Sequence, residues 1–418
     1  MFYNPIVNYI MYNFRAFNFV FKIRMIIKKL ALVALLAITC LVACNSNKKE
    51  KSISNKEIVI NPNHDSLLLV YHPAQANKKL NAYFKELYRK RNFNGNVLIA
   101  KNGKIIYQNA FGWADYLHRD SLTIASKFQL ASLSKPFTGT AILMLMEEGK
   151  LKLNQTVNDF YPDFPYPGIT IQMLLSHRSG LINYVYFTDK IWKKKYRGMT
   201  NMDVMQLFAL YKPKPYFPPD RMFHYNNSNY MILAAIVEAV TKKTFAEYMQ
   251  EKIFKPFGMK NTAIYSTAVY EKIPVDVVGH DRNWRRSVRQ DFLDGTTGDK
   301  GIYSTVGDLY LFDQALRDGR ILSKTTLDLA YTPNSKLQNK YFGYGLGWRI
   351  YADSLHKQKV IYHTGWWHGF RHIYLRDTKQ NITIILLSNL VNGSINQIDE
   401  VYKITGLPVI RRGVNADD

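Results

Sequence analysis

The sequence predicts an α+β fold in which one antiparallel sheet, built from both ends of the chain, is flanked by helices and interrupted by a mainly α-helical insertion. Three observations lead to this class. A hairpin pattern lies near residue 100, helical patterns dominate from about 150 to 290, and the last third changes to period-two patterns. With 418 residues, of which 47% are hydrophobic and 14% aromatic, the chain can bury a sizeable core.

The first predicted elements are a helix and a hairpin. Leu80, Tyr83, Phe84 and Leu87 recur at helical spacing and predict an amphipathic helix. The dipeptide Asn102-Gly103 follows within NVLIAKNGKIIYQNAFG, between two alternating apolar segments, which is a strong hairpin signal.

The middle of the chain is predicted to be helical. The apolar spacing from Ser132 to Glu148 predicts a buried helix. Thr200-x-x-Asp203 and Thr305-x-x-Asp308 have the pattern of capping boxes, which mark helix starts.

The C-terminal third is predicted to form successive antiparallel strands. The segments YGLGWRIY, KVIYHTGWW, FRHIYLRD and ITIILLSN have strand patterns, and a closing helix is expected from about Asn396. We therefore expect a domain over residues 79–410. Residues 79–148 and 295–410 would form its α/β part, and residues 149–294 its helical part.

The N-terminal region carries export signals. Residues 25–44, MIIKKLALVALLAITCLVAC, contain two lysines and then a short apolar stretch, which is typical of a secretory signal. The stretch ends in LVAC, which resembles a bacterial lipobox, so we expect cleavage before Cys44 and lipidation of its thiol. An uncleaved anchor helix is the alternative. Met25 is the expected true start, residues 1–43 the leader, 44–78 a flexible tether and 411–418 a tail.

Charge and cysteine content agree with export to the bacterial cell envelope. The formal net charge is +24, and residues 1–43 contribute five basic residues and no acid. Such a charge suits nucleic acid, an anionic membrane surface or an anionic polymer, and export argues against nucleic acid. The two cysteines, Cys40 and Cys44, both lie in the signal region, which leaves the body without disulfide or thiol chemistry.

A Ser-x-x-Lys pattern supplies a candidate nucleophile. The pattern occurs three times, at Ser46/Lys49, Ser132/Lys135 and Ser354/Lys357. Only Ser132 stands at the start of an apolar helix, where Lys135 at position i+3 shares its face. A hydroxyl needs an adjacent base to react, and the free amides of a first helical turn favour a developing oxyanion.

Two further clusters carry polar groups at element ends. FHYNNSNYMILAAIVEAV places Tyr225 and Asn227 just before an apolar helix. HTGWWHGF contains His363-Thr364-Gly365 at the end of a predicted strand, and this is the only Lys/His-Thr-Gly triplet in the sequence.

These three elements, in this order, resemble those of the serine penicillin-recognising enzymes: class C β-lactamases, D-alanyl-D-alanine carboxypeptidases and their esterase relatives. The segments LLSHRSGL, IFKPFGMKNT and GIYSTVGDL are also similar to recurrent blocks of that family. The resemblance covers about residues 79 to 405. It implies a β-lactamase/transpeptidase-like fold and a serine hydrolase that needs no cofactor.

The resemblance also implies roles for individual residues. Ser132 would be the acylated nucleophile, and Lys135 would help to remove its proton. Tyr225 would be the general acid or base that protonates the leaving group and activates the deacylating water. Asn227 would bind the substrate amide.

The third element would line the strand edge of the site. His363, Thr364 and Gly365 would contact substrate, with Thr364 near a substrate carboxylate. The backbone amides of Ser132 and Trp366 would form the oxyanion hole. Many β-lactamases have lysine where this chain has His363, and an imidazole there predicts activity that changes over about pH 5.5–7.5. The acidic loop base of class A β-lactamases has no clear counterpart, so that class is not expected.

The other histidines and one loop allow alternative interpretations. His363, His368 and His372 lie close together, but their spacing suits no strand face consistently and no partner acid is expected nearby, so no metal site is expected. His368 and His372 are interpreted as polar rim residues and His177 as a structural histidine. Residues 184–197 are either a substrate lid or a solvated loop.

The predicted function is an envelope-tethered serine hydrolase that acts on an amide, ester or β-lactam bond. Its expected partners are a small-molecule, peptide or ester substrate and, through the lipid anchor, a membrane. Peptidoglycan is a further candidate. The alternative is a non-catalytic binding protein of the cell envelope that keeps the same scaffold.

Overall fold

The computed structural model describes most of the chain after the predicted tether. The described residues are 67–68, 74–265, 276–284, 287–288, 290–336, 341–354 and 357–407. They belong to one compact unit, Ile58–Asp418. The predicted leader, Cys44, most of the tether and the tail lie outside the described residues. The domain boundaries drawn from the sequence stay predictions.

In the described part of this unit, one helix precedes the first strand, one follows the last strand, and the others lie between residues 134 and 330. They are α1 Ala74–Arg91, α2 Ser134–Glu147, α3 Ile171–Leu175, α4 Tyr184–Ile191, α5 Asn201–Tyr211, α6 Asn227–Thr241, α7 Phe245–Met249, α8 Val306–Arg317, α9 Lys324–Ala330 and α10 Asp399–Thr405. Among the described helices, none has the length and apolar character needed to cross a membrane.

The strands of the described residues form one large sheet and three small ones. They are β1 Gly95–Lys101, β2 Lys104–Phe111, β3 Trp113–Asp115, β4 Asp120–Ser121, β5 Phe128–Gln129, β6 Ala263–Ile264, β7 Gly279–His280, β8 Ser287–Val288, β9 Ile302–Ser304, β10 Ser335–Lys336, β11 Phe342–Tyr344, β12 Arg349–Asp353, β13 Gln358–Trp367, β14 Phe370–Asp377 and β15 Ile382–Ser388.

The large sheet joins the two ends of the chain, as the sequence predicted. Its strand order is β10-β11-β12-β13-β14-β15-β1-β2, and every neighbouring pair is antiparallel. The β1–β2 turn contains Asn102 and Gly103, whose φ angles of 52° and 69° suit the two-residue hairpin turn predicted for them.

The sheet is buried on both faces. Along β1, Val97 and Ile99 pack in the hydrophobic cluster that contains α1 and α10 residues. Leu98 and Ala100 point the other way, into the larger cluster formed with α2, α6 and α8. This larger cluster positions the start of α2 and the start of α6 beside β13.

Three predicted elements differ in detail from the structure. The segment YGLGWRIY does not form one strand but two, β11 and β12, which are antiparallel neighbours. Thr305 caps α8 by accepting the Asp308 backbone N–H, but the Asp308 carboxylate accepts from Thr262 and Asn261 instead of completing a capping box. Residues 184–191 form helix α4, so this segment is not a loop.

Candidate active site

The turn that carries Ser132 packs closely against β13. Ser132 lies in a 3-10 turn, Ala131–Leu133, directly before α2, and not inside the helix as predicted. Ala131 has a positive φ of 51°, a conformation that costs a residue with a Cβ atom about 1 kcal/mol. A Cβ atom on Gly365 would lie 2.5 Å from the Leu130 carbonyl oxygen, so only glycine permits this approach.

Lys135 is fully buried and directs its ammonium group to the nucleophile. Its Nζ atom donates to Ser132 Oγ at 2.9 Å and to Asn227 Oδ1 at 2.8 Å. It also donates to the main-chain oxygen of Asp299 at 3.1 Å. An ammonium group removed from water needs such acceptors, and these three fix its position relative to Ser132.

Tyr225 and Asn227 stand at the start of α6. Asn227 is the first residue of this helix, and the Asn226 side chain caps it by accepting the Ser228 backbone N–H. The Tyr225 ring centroid lies 5.0 Å from Lys135 Nζ and 4.9 Å from the Arg349 guanidinium carbon. Two cation–π contacts therefore hold the phenol ring beside the serine–lysine pair.

The predicted triplet lies on β13, opposite this pair. His363 is fully buried, with Nδ1 2.7 Å from the Thr364 carbonyl oxygen and Nε2 3.1 Å from the Tyr344 hydroxyl. Thr364 is also buried, whereas Trp366 is 50% exposed. The structure thus gathers the predicted catalytic and substrate-binding residues at one place, at the junction of α2, α6 and β13.

The environment of His363 opposes the titration expected between about pH 5.5 and 7.5. Burial holds the pKa of His363 well below its ordinary value, and the cations Arg349 and Lys135 lower it further. The neutral imidazole is therefore the favoured form, and the pH dependence of activity stays a prediction.

A cleft of about 860 Å³ opens above the Ser132 hydroxyl. Aromatic side chains form much of its wall, and three of them are substantially exposed: Tyr186 (64%), Trp366 (50%) and Tyr216 (42%). Tyr186 comes from α4, which is one wall of the cleft. Of residues 184–197, the first eight form a helix that lines the cleft, and residues 192–197 form a largely exposed loop after it. The lid interpretation stays a prediction.

The three clustered histidines occupy different environments. His372 is not a rim residue: it is buried, its Nε2 lies 2.7 Å from the Gln129 carbonyl oxygen, and burial lowers its pKa to about 4. His368 lines the cleft between Asp291 and Asp294, so the expectation that no acid stands near it is also wrong.

The cluster of Asp291, Asp294 and His368 could in principle hold a metal ion, since its ligand atoms lie within 4.8 Å of one another. His368 Nε2 faces Asp291 at 3.6 Å while Nδ1 faces Asp294 at 3.2 Å, so a protonated imidazole can pair with both carboxylates. A metal ion would take only one of the two nitrogens.

Sequence reasoning missed two contributors to this site. Arg349 lies in β12 next to Tyr225, and Asp299 reaches Lys135 through its main chain. Any residue type can supply a main-chain acceptor, so the role of Asp299 cannot be recognised from its identity. Arg349 belongs to no motif that would distinguish it from other arginines in strands. The glycines around GDKG were the only local signal of a closely packed loop.

Known proteins resemble this chain in sequence and in fold. A family model described as Beta-lactamase matches residues 80–403. A penicillin-binding protein of Bacillus subtilis is 34% identical over 324 residues, which are 75% of this chain and 71% of that protein.

Two solved structures share the fold. A penicillin-binding protein from Bacillus halodurans superposes with a TM-score of 0.69 at 24% identity, covering 77% of this chain and 99% of that one. A D-amino acid amidase from Ochrobactrum anthropi superposes with a TM-score of 0.66 at 22% identity, covering 79% and 98%. Both have the β-lactamase/transpeptidase-like arrangement expected from the sequence.

Proposed function

Because the chain belongs to the beta-lactamase family of serine hydrolases, we propose that it cleaves an acyl bond through an acyl-enzyme formed on Ser132. The observation that carries this proposal is the 2.9 Å contact between the buried Lys135 Nζ and Ser132 Oγ, beside an open cleft. A serine with an adjacent buried base is the arrangement that nucleophilic catalysis requires.

Acylation uses the groups around Ser132. Loss of one proton from the Lys135 ammonium group to solvent gives the amine, which accepts the Ser132 proton as Oγ bonds to the substrate carbonyl carbon. The oxyanion is stabilised by the backbone N–H groups of Ser132 and Trp366. When the intermediate collapses, the bond to the leaving group breaks and Tyr225 supplies the proton that the leaving group takes.

Deacylation reverses these roles. A water molecule gives its proton to Tyr225 as its oxygen bonds to the acyl carbon, and the ester bond to Ser132 Oγ then breaks. The serine regains its proton from Lys135, which restores the resting enzyme. Asn227 and Thr364 bind the amide and the carboxylate of the substrate.

The substrate carries a sizeable apolar or aromatic group next to the scissile carbonyl. The volume of the cleft and the exposed rings of Tyr186, Tyr216 and Trp366 support this, since exposed aromatic walls bind apolar surface. The solved amidase, a fold neighbour, is described as acting on D-amino acids. A D-amino acid amide with an aromatic side chain is therefore one substrate to assay.

The enzyme is anchored at the bacterial cell envelope through Cys44. The LVAC sequence after an apolar stretch supports this location, and the positive charge of the body suits an anionic envelope surface or peptidoglycan. Metabolic labelling with a fatty-acid analogue tests it: the full chain should be labelled, and Cys44→Ala should not.

Covalent labelling tests the nucleophile. We expect a fluorescent penicillin or fluorophosphonate to modify the wild-type protein and to leave Ser132→Ala unmodified. Ser354→Ala is the matched control, since it removes a serine from the same Ser-x-x-Lys pattern at an exposed turn, and it should label normally. Failure of both probes on the wild-type protein would favour the non-catalytic binding protein.

Substrate choice is measured next. Hydrolysis of a chromogenic cephalosporin, a p-nitrophenyl ester, a D-Ala-D-Ala peptide and a D-phenylalanine amide would separate β-lactamase, esterase, carboxypeptidase and amidase activities. Each activity should disappear in Ser132→Ala.

A further inference from the structure

The third acceptor of the Lys135 ammonium lies on a buried loop, residues 296–301. Two glycines with positive φ, Gly298 (97°) and Gly301 (96°), shape this loop. A Cβ atom on Gly298 would lie 2.3 Å from the Tyr230 carbonyl oxygen, so the loop is pressed against α6. Thr138 of α2 also donates to the Gly298 carbonyl at 2.7 Å. The Asp299 carbonyl is thus held between the two helices that carry the reactive groups.

The side chains of this loop form a buried ionic network. The Asp299 carboxylate accepts from the Tyr184 hydroxyl at 3.0 and 3.1 Å and from Lys300 Nζ at 3.2 Å. Lys300 Nζ also donates to the Thr296 hydroxyl at 3.0 Å and to the Tyr184 hydroxyl. All four residues are at least 97% buried.

Such a network is a poor source of stability. The desolvation of two charges roughly cancels their attraction, so a buried ion pair can be replaced by apolar residues with little loss. The network instead provides a fixed geometry. Lys300 Nζ donates to three buried acceptors, the Tyr184 hydroxyl, the Thr296 hydroxyl and the Asp299 carboxylate, and these contacts define its position. Removing the Lys300 charge would leave the buried Asp299 carboxylate without its ion pair and with Tyr184 as its donor, which would shift the peptide unit that carries the Asp299 carbonyl.

The network also reaches two walls of the cleft. Lys300 Nζ lies 5.1 Å from the ring centroid of Trp367, which lines the cleft on the β13 side. Tyr184 is the first residue of α4, and the next two residues, Val185 and Tyr186, line the opposite side. One buried cation therefore connects the lysine base with both walls.

We propose that Lys300 and Asp299 are positioning residues for catalysis: their buried ion pair fixes the Asp299 carbonyl, which orients the Lys135 amine toward Ser132. Neither residue touches substrate. The inference rests on the proposed function, because it assigns a task to the pair within that acyl transfer.

The test compares Lys300→Met with the wild-type enzyme. We expect the acylation rate with a fluorescent penicillin or fluorophosphonate to fall about 10- to 100-fold, since misplacement of a catalytic group by about 1 Å has such an effect. The KM of a hydrolysed substrate should change less than about 3-fold, because Lys300 does not contact substrate.

A double variant separates positioning from stability. Asp299→Asn combined with Lys300→Met removes both charges, so we expect its melting temperature to return toward that of the wild-type protein. Acylation should remain slow in the double variant, because the carbonyl is still unanchored. Recovery of the rate together with stability would overturn the proposal, as would a wild-type rate in Lys300→Met.

Arg317→Met is the matched control. Arg317 is a largely buried cation paired with Asp313, which keeps a second partner in Arg376. It donates to the carbonyl of Asp377, the last residue of β14, whereas the cleft lies beside the first residue of that strand. This variant should lose stability and acylate at the wild-type rate. If the wild-type protein itself is not acylated, the proposed function fails, and this inference fails with it.

Discussion

At the scale of single residues, the site depends on backbone approaches that only glycine allows. Gly365 brings β13 against the turn before Ser132, and Gly298 brings the Asp299 loop against α6. The first approach brings the end of β13, which carries Trp366, next to the turn that carries Ser132. The positive φ of Ala131 is a strain that the surrounding packing must offset.

Gly365→Ala should therefore reduce catalysis strongly. The added methyl group would lie 2.5 Å from the Leu130 oxygen and 3.0 Å from His372 Cδ2, so β13 and the Ser132 turn must separate. We expect acylation to slow about 100-fold, because the oxyanion donor moves, and stability to fall by about 1–3 kcal/mol. Labelling kinetics and urea unfolding measure the two effects.

Gly149→Ala distinguishes loss of activity from loss of stability. Gly149 follows α2 and has a φ of 70°, and a methyl group added there would meet no atom within 4 Å. Its replacement should cost about 1 kcal/mol through backbone strain and leave acylation unchanged. Equal acylation by the Gly365→Ala protein and this control would contradict the close-approach argument.

At the scale of elements, the tip of the β13–β14 hairpin is fixed by an ion pair. His368 lies at this tip, two residues after Trp366, and its ring stacks on Trp367 at 4.4 Å. Burial alone would lower the pKa of His368, but the neighbouring carboxylates of Asp291 and Asp294 outweigh it and raise the pKa to about 9. The 3-10 turn Phe292–Gly295 that carries Asp294 thus holds the hairpin as long as His368 is charged.

The ion pair of His368 with Asp291 and Asp294, called the hairpin clamp below, predicts a loss of stability at alkaline pH. The pKa of His368 in the folded protein lies above its value near 6.5 in the unfolded chain. Its contribution to the free energy of unfolding is therefore complete below about pH 6.5 and is lost as pH rises through about 9. The loss should reach at most about 3 kcal/mol. Urea unfolding at pH 6, 7, 8 and 9 should show it in the wild-type protein. His368→Gln should show no such slope over this range, and an equal slope in both proteins would exclude the hairpin clamp.

Local patterns predicted most elements and the site residues. The Asn102-Gly103 turn, the α2 and α6 segments and the β13 triplet each have a signal within a few residues, and the order of Ser132, Tyr225 and His363 identified the family. Contacts between segments that are distant in sequence could not be predicted and are seen only in the structure. Gly345 and Gly347 allow the turn that splits β11 from β12, and the pairing of His368 with Asp294 joins residues from separate parts of the chain.

At the scale of the whole molecule, the buried imidazoles are neutral although the chain carries a net charge of +24. His177 and His363 have pKa values held well below the ordinary value by burial and by nearby cations, Lys135 and Arg349 among them. His372 has a pKa of about 4, mainly because of burial. These three rings pack next to or behind the active site, so their protonation would place positive charge inside an already cationic protein.

The folded protein should therefore lose stability as pH falls below about 6.5. The unfolded chain takes up these protons near pH 6.5, while the folded protein takes up the His372 proton only near pH 4, so unfolding is favoured between those values. Each such histidine adds a slope of up to about 1.4 kcal/mol per pH unit. Unfolding by urea between pH 7 and 4.5 measures the total. The variant His372→Gln keeps a donor for the Gln129 carbonyl. It should reduce the slope of unfolding free energy against pH by the contribution of one histidine. An unchanged slope would show that His372 is not among the groups that titrate.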